Sequence, residues 1–315
     1  MFRELGRAEK ELFLNERIRQ LKMLYQGVRI KLEKSLSQIT LTGFQRYRTE
    51  AVLKQVRSIV KILDKEAVAW TKKNIPLAYS KGVDIAGTRL KIMGVTDKVA
   101  WDAQIHTSAV NTLTDAVAAD LLIANGTIKK QVTGYIRKTQ QVLLQDKAIT
   151  KMIAEGTITG EARTAISNTM LNEFRKKIGR GGFIVINGRN YRPEAYAELV
   201  ARTRMAEAST QGVINTSLQY GEDLVQWSVH ADSCEICQQL QGRIFSISGN
   251  DSEFPALNER PPAHPNCECA LLPVNRETLQ RRMGSNYKNI VDLSNSKIPI
   301  HSHKQYEQEL RGYAL

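Results

Sequence analysis

All four cysteines of this chain fall between Trp227 and Pro273, in two clusters. Cys234 and Cys237 make a C-x-x-C pair. Further on, His264-Pro-Asn-Cys267-Glu-Cys269 brings together a histidine and two more thiols. Two half-sites joined by a loop are what a tetrahedral zinc ion needs, because each tight turn supplies two soft ligands. Five donors, Cys234, Cys237, His264, Cys267 and Cys269, stand against four coordination positions. That excess suits a closed structural site, whereas a catalytic zinc keeps one position open. Cys234, Cys237 and Cys267 with either His264 or Cys269 would fill the sphere, and spacing does not choose between the last two. In an extended segment Cys267 and Cys269 point to the same side, so both could face one metal. A structural zinc contributes on the order of 10 kcal/mol of folding free energy, which a small module lacks otherwise.

Other fates are open to these residues. The thiols could form one or two disulfides, or serve as small buried hydrophobes. The charged start, Met1-Phe-Arg-Glu-Leu-Gly-Arg-Ala-Glu-Lys, lacks the apolar core of a secretory signal. Synthesis in a reducing cytoplasm is the expectation, and it favours metal over cystine. A His–Asn–His nuclease is the enzymatic alternative, with His230, His264 and Asn266 supplying the residue types. Pro265 and Pro273 leave no room for the helix that such a site needs directly after His264. No H-E-x-x-H, G-x-S-x-G or Walker loop occurs, so a non-enzymatic protein is expected. His106 reads as a structural residue inside a helix, His301 and His303 as solvated. Arg202 and Arg204 read as salt-bridged helix arginines.

Trp227-Ser-Val-His-Ala-Asp-Ser-Cys234-Glu-Ile-Cys237, then Gly242-Arg-Ile-Phe245, then Pro261-Pro-Ala-His264-Pro-Asn-Cys267-Glu-Cys269 resembles the phage head-morphogenesis family. These are the minor head (minor capsid) proteins similar to protein F of phage Mu. Tyr196-Ala-Glu-Leu-Val-Ala-Arg202-Thr203 and Gly221-Glu-Asp-Leu-Val are similar to the helix and strand entry of that domain. The likeness runs from about Arg163 to Val274 and leaves the first 150 residues without a recognised motif. Glu268 departs from it, standing where a basic residue is expected. The resemblance implies a virion protein of a tailed phage, in the capsid interior near the portal. The partners it implies are the portal protein, the major capsid or scaffolding protein, and packaged double-stranded DNA.

The elements that must carry these residues are mostly helices. Leu14, Ile18, Leu21, Tyr25, Val28, Leu32 and Leu36 recur at heptad-like spacing, with Gly27 a weak point. Val52, Val56, Ile59, Leu63 and Trp70 repeat the pattern after Thr40-Leu-Thr42-Gly43, so the two helices are expected to pair antiparallel. Pro76 should end or kink the second. A third helix is expected over 97–124, stopped by Asn125-Gly126, with Ile105, Ala109, Leu113 and Val117 on one face. A fourth is expected over 128–146 and a shorter one over 160–178. Phe183-Ile-Val-Ile and Arg189-Asn-Tyr-Arg flank Asn187-Gly188 as a hairpin, and Pro193 opens a helix to about Leu218. Short strands are expected at 223–229, 243–247 and 269–274, then a short helix near Glu277 and a polar tail.

The fold class expected is therefore mainly α, an N-terminal long-helix bundle followed by a small zinc-stabilised α+β module. The expected division is 1–160, 161–275 and 276–315. No apolar run approaches the roughly 20 residues that span a bilayer, so a soluble protein without a membrane partner is expected.

Charge is uneven along the chain. Residues 1–100 hold 21 Lys and Arg against 10 Asp and Glu, residues 201–315 only 11 against 13. The excess thus belongs to the helices and not to the cysteine module. Such a surface attracts polyanions through counterion release; a solvated lysine-rich helix face is the plainer alternative. Arg175, Lys176, Lys177 and Arg180 form the densest basic patch, and with Lys129 and Lys130 they are the candidate DNA contacts. A zinc-containing, sequence-independent DNA-binding protein is the alternative functional class.

Overall fold

The structure, a computed structural model, describes residues 7–37, 46–96, 103–145, 172, 184–186, 188–230 and 233–312. In chain order it has α1 (Arg7–Ser37), α2 (Arg46–Ile92), α3 (Ala103–Gln145), β1 (Ile184–Ile186), β2 (Arg189–Tyr191) and α4 (Pro193–Gln219). Then follow β3 (Leu224–Trp227), α5 (Glu235–Gln238), β4 (Ile244–Ser246), β5 (Leu271–Val274), α6 (Arg276–Met283), α7 (Tyr287–Asn295) and α8 (His303–Gly312). The chain divides into two compact units. One comprises Asn15–Thr71 and Ala116–Ala201, the other Met1–Leu14, Lys72–Asp115 and Arg202–Leu315.

The first, helical unit is built on the two expected stripes. Ile18, Leu21, Tyr25, Val28, Leu32 and Leu36 of α1 are buried, as are Val52, Val56, Leu63 and Trp70 of α2. Val60 is buried where Ile59 was expected, and Ile59 is half-buried. Each such side chain contributes roughly 1.5–3 kcal/mol by leaving water. The Trp70 indole donates to the Arg17 carbonyl at 3.1 Å. Tyr25, further along α1, meets a node that includes Asp64, earlier on α2, so α1 and α2 run antiparallel. In that node the Tyr25 hydroxyl donates to Asn125 Oδ1 at 2.8 Å, and Asn125 Nδ2 donates to Asp64 Oδ1 at 2.8 Å.

This node corrects one expectation. Asn125-Gly126 does not stop a helix; α3 is one helix of 43 residues. The expected third and fourth helices are parts of it. Val117, Leu121, Ala124, Ile128, Val132 and Ile136 continue one buried face straight through Asn125, while Ile105 is exposed. Burial and two hydrogen bonds on Asn125 outweigh the local preference of Gly126 for a helix end. Pro76 likewise does not end α2, which continues for sixteen residues to Ile92. An interior proline costs about 3 kcal/mol, and buried Ile75, Ala78 and Tyr79 around it offset that. Of the helix expected over 160–178 only Asn172 is described, and it is helical; the turn at 40–43 and Asn187 lie outside the described residues. The expected hairpin is present, with Ile186 paired to Arg189 and Gly188 at a φ of 75°.

The second unit is a three-stranded antiparallel sheet, β4-β3-β5, with helices on both faces. Alternation decides which residue goes where. Val225, Trp227, Phe245 and Leu271 cluster with Ala86 of α2 and Val213 and Ile214 of α4. Leu224, Ile244 and Val274 face the other way, against Ile290 and Leu293 of α7 and Ile300. The end of the chain is thus not a polar tail: α7, Ile300 and α8 close the second face of the sheet. On the first face, α2 and α4 approach backbone to backbone. A Cβ added at Gly82 would lie 1.9 Å from the Ser209 carbonyl oxygen, and one at Gly212 would lie 2.3 Å from that of Tyr79.

Candidate metal centre

The cysteines sit in the two connections of this sheet. Cys234 and Cys237 lie between β3 and β4; His264, Cys267 and Cys269 lie between β4 and β5. Cys234 is the extended residue that caps α5, at φ −70° and ψ 166°. Its loop is tied down by Gln241, whose Oε1 accepts from His230 N at 2.8 Å and Ser233 Oγ at 2.9 Å. Gln241 also donates to the Ile300 carbonyl, and Ile300 N donates to the Gln238 carbonyl at 2.8 Å. The chain's C-terminal segment therefore holds the first half-site in place.

The second half-site is a turn of the same span. Cys267 N donates to the His264 carbonyl at 3.1 Å, and Asn266 between them is left-handed at φ 63°. Asparagine tolerates that conformation better than other residues with side chains. His264-x-x-Cys267 thus matches Cys234-x-x-Cys237 in spacing. Cys269 stands outside both turns, 3% exposed, in the cluster with Trp227.

His264 Nε2 lies 3.1 Å from Cys234 Sγ and 3.3 Å from Cys237 Sγ. Nδ1 is 2.9 Å from the Pro265 carbonyl. A carbonyl only accepts, so Nδ1 carries a proton and Nε2 is turned to the sulfurs, the arrangement a metal-ligating histidine needs. Cys237 Sγ is 3.7 Å from Cys267 Sγ. Two sulfurs on one tetrahedral zinc, each about 2.3 Å from it, stand about 3.8 Å apart. The five donors form two overlapping triples, Cys234–Cys237–His264 and Cys237–Cys267–Cys269, each with its atoms within 4.8 Å. Cys237 belongs to both. These groups could hold a metal ion.

The local electrostatics fit a cation. The Cys269 thiol, foremost, together with the Cys269 and Ala263 N–H groups, holds Cys267 down at about 5. Cys269 itself is pushed up by that same pairing and by burial, and burial pushes Cys237 up to about 12. At Cys234 burial acts upward, but hydrogen bonds from Cys237 and from Ile236 N–H outweigh it and lower the thiol. At His264 burial acts downward and is outweighed by the Pro265 carbonyl and the charges of Cys267 and Cys234, which raise it. A bound cation would displace the protons that the raised thiols Cys237 and Cys269 hold.

All four cysteines are free. His230 belongs to neither donor group; its Nε2 lies 2.8 Å from Ser228 Oγ. After His264 the chain passes through its turn into β5 without a helix. Lys129 and Lys130 are exposed on α3; Arg175, Lys176, Lys177 and Arg180 lie outside the described residues. Glu268, the departure from the expected basic residue, is 3.9 Å from Arg202, and Arg204 pairs with Glu207 at 2.7 Å. His106 is held on both nitrogens, by Tyr79 Oη at 2.7 Å and Gln219 Oε1 at 2.6 Å. His301 is exposed, and the side chain of His303 lies outside the description.

Sequence reasoning did not single out Gln241 or the Pro265 carbonyl. No local pattern marks either. Among the described residues no helix is long and apolar enough to cross a membrane.

Comparison with curated proteins and with solved structures returns no match. The sequence profile of the family described as phage minor capsid protein 2 matches residues 46–256. The match takes in α2 and α3, where no motif was legible, and the C-x-x-C half-site; it ends before His264. Since it covers about two thirds of the chain, the protein belongs to the phage minor capsid protein 2 family and has a capsid-associated role.

Proposed function

We propose that the protein is a non-enzymatic minor head protein of a tailed phage that associates with the portal and assists capsid assembly or genome packaging and delivery. Membership of the minor capsid family carries this reading. On it, the protein is made in the host cytoplasm and resides in the capsid interior. The helical part docks on the portal, major capsid or scaffolding protein, and its basic faces meet packaged DNA. The test is co-purification with the portal protein of the same genome, followed by mass measurement. A defined complex supports the reading. A folded, metal-loaded protein that does not associate contradicts it and leaves DNA binding as the better function.

The cysteine module serves this role as a rigid surface closed by one structural zinc. The ligand set we assign is Cys234, Cys237, His264 and Cys267. The matched turns and the orientation of His264 Nε2 support it, with Cys269 a buried thiol beside Cys267. Cobalt substitution should give a spectrum of three thiolates and one nitrogen, unchanged in Cys269→Ser. A four-thiolate spectrum would put Cys269 in place of His264.

A further inference from the structure

We propose that Lys54, Arg57, Lys61 and Lys65, on the outer face of α2, contact the phosphates of double-stranded DNA without sequence preference. This rests on the reading that the protein meets packaged DNA, and it assigns that contact to particular residues. All four side chains are exposed. They recur every three or four residues, on the side of α2 opposite buried Val56, Val60, Leu63 and Ala67.

Two observations separate this face from an ordinary solvated one. First, its cations are unpaired, whereas carboxylates of the same unit are engaged elsewhere. None of the four has an ion-pair or hydrogen-bond partner among the described residues. Arg29 lies 2.8 Å from Glu33 and 3.3 Å from Glu194, Lys22 holds Glu198 at 2.7 Å, and Asp64 accepts from Asn125. Glu50 and Glu66 are exposed on this stretch of α2, and neither pairs with the four cations. Second, although Glu50 and Asp64 stand at attractive spacings to Lys54 and Lys61, the four cations are themselves neighbours of like sign. Arg57 with Lys61, and Lys61 with Lys65, are like charges four residues apart, and Lys54 with Arg57 three apart. Such pairs repel on one helix face, where alternating signs would attract.

A polyanion laid along the face removes that repulsion and releases its own counterions. The four charges extend over roughly 16 Å of helix axis, against a duplex that carries one negative charge per roughly 1.7 Å. Flexible lysines act as point charges, suited to phosphates rather than to base edges.

The test is a titration of the full chain with a labelled random-sequence duplex between about 50 and 200 mM salt. Replacing the four by glutamine (Lys54→Gln, Arg57→Gln, Lys61→Gln, Lys65→Gln) should lower the slope of log K against log salt by about 3.6. The circular dichroism of the protein should stay unchanged and its melting temperature should not fall. The matched variant on α3, Lys129→Gln, Lys130→Gln, Arg137→Gln and Lys138→Gln, should retain most of the slope. An α2 variant that binds as wild type, or an α3 variant that takes the loss instead, overturns the assignment and leaves DNA binding standing. Wild-type protein that binds no duplex at any salt overturns both. An α2 variant with intact DNA binding but a lost complex with the portal protein makes the face an acidic-protein contact and overturns the proposal.

Discussion

The helical unit and the cysteine-bearing unit are each held together, but by opposite means. In the first, long stripes on α1, α2 and α3 bury apolar side chains turn after turn, and the Tyr25–Asn125–Asp64 node fixes how they align. In the second, the strands are only three or four residues long, and the connections between them are longer than the strands they join. Hydrogen bonds through Gln241, a salt-bridge cluster around Arg276 and the five-donor group hold those connections. Where periodicity is long, burial specifies the fold; where elements are short, point attachments between loops must do so. On the proposed zinc reading a metal ion would be the strongest such attachment, and its loss should affect the second unit and spare the first.

The largest effect is expected from Cys237→Ser, which removes the donor common to both triples. With zinc coordination contributing on the order of 10 kcal/mol, residues 233–274 should lose their fixed structure. Near-ultraviolet dichroism of buried Trp227 would record it, and retention of the native signal would remove the contrast between the units. Gly82→Val comes next. Its Cβ would meet the Ser209 carbonyl at 1.9 Å, and separating two helix backbones should cost about 3 kcal/mol. Denaturant unfolding measures it, and a wild-type midpoint would mean that α2 and α4 do not touch.

In the helical unit, Asn125→Ala leaves the Tyr25 hydroxyl and Asp64 without their partner. A loss of about 1–3 kcal/mol is expected, read as a lower melting temperature with the metal still bound. The smallest effect belongs to the Arg276 cluster. At Asp251 burial acts to raise the carboxyl, but the N–H groups of Phe254 and Glu253 and the Arg276 guanidinium outweigh it and hold the pKa low. The native carboxylate is therefore favoured over the unfolded one. Its contribution is present above the ordinary carboxylate value of about 3.9 and disappears as pH falls through the lower folded value. Asp251→Asn should lower stability by less than about 1 kcal/mol at neutral pH, with the gap to wild type closing as the solution is acidified below that range. A gap independent of pH would mean that the charge contributes nothing.

The same contrast explains what the sequence made legible. The stripes of α1 and α2 were readable because many residues repeat one period, so a single ambiguous position does not matter. The hairpin at Gly188, the start of α4 at Pro193 and the strands before Cys234 and after Cys269 were readable from turn residues and alternation. Asn125-Gly126 misled because the local stop signal was overruled by two partners, Tyr25 and Asp64, distant in sequence. The short helix near Glu277 was readable and is α6, but α7 and α8 were missed because Ile290, Leu293, Ile300 and Tyr306 are sparse in a polar stretch. Their burial depends on the sheet face they meet. At the site, the donors were legible, but the Asn266 turn and the Pro265 carbonyl that orients His264 are backbone features, which residue types alone do not disclose.

The most direct test is hydrogen exchange across the full chain before and after removal of bound metal by a chelator. Protection should fall over residues 233–274 while residues 18–36 and 52–70 keep theirs, and one equivalent of zinc should be released. Protein holding less than about a tenth of an equivalent of metal, or exchange that rises equally in both units, would contradict the idea that metal closes only the cysteine module.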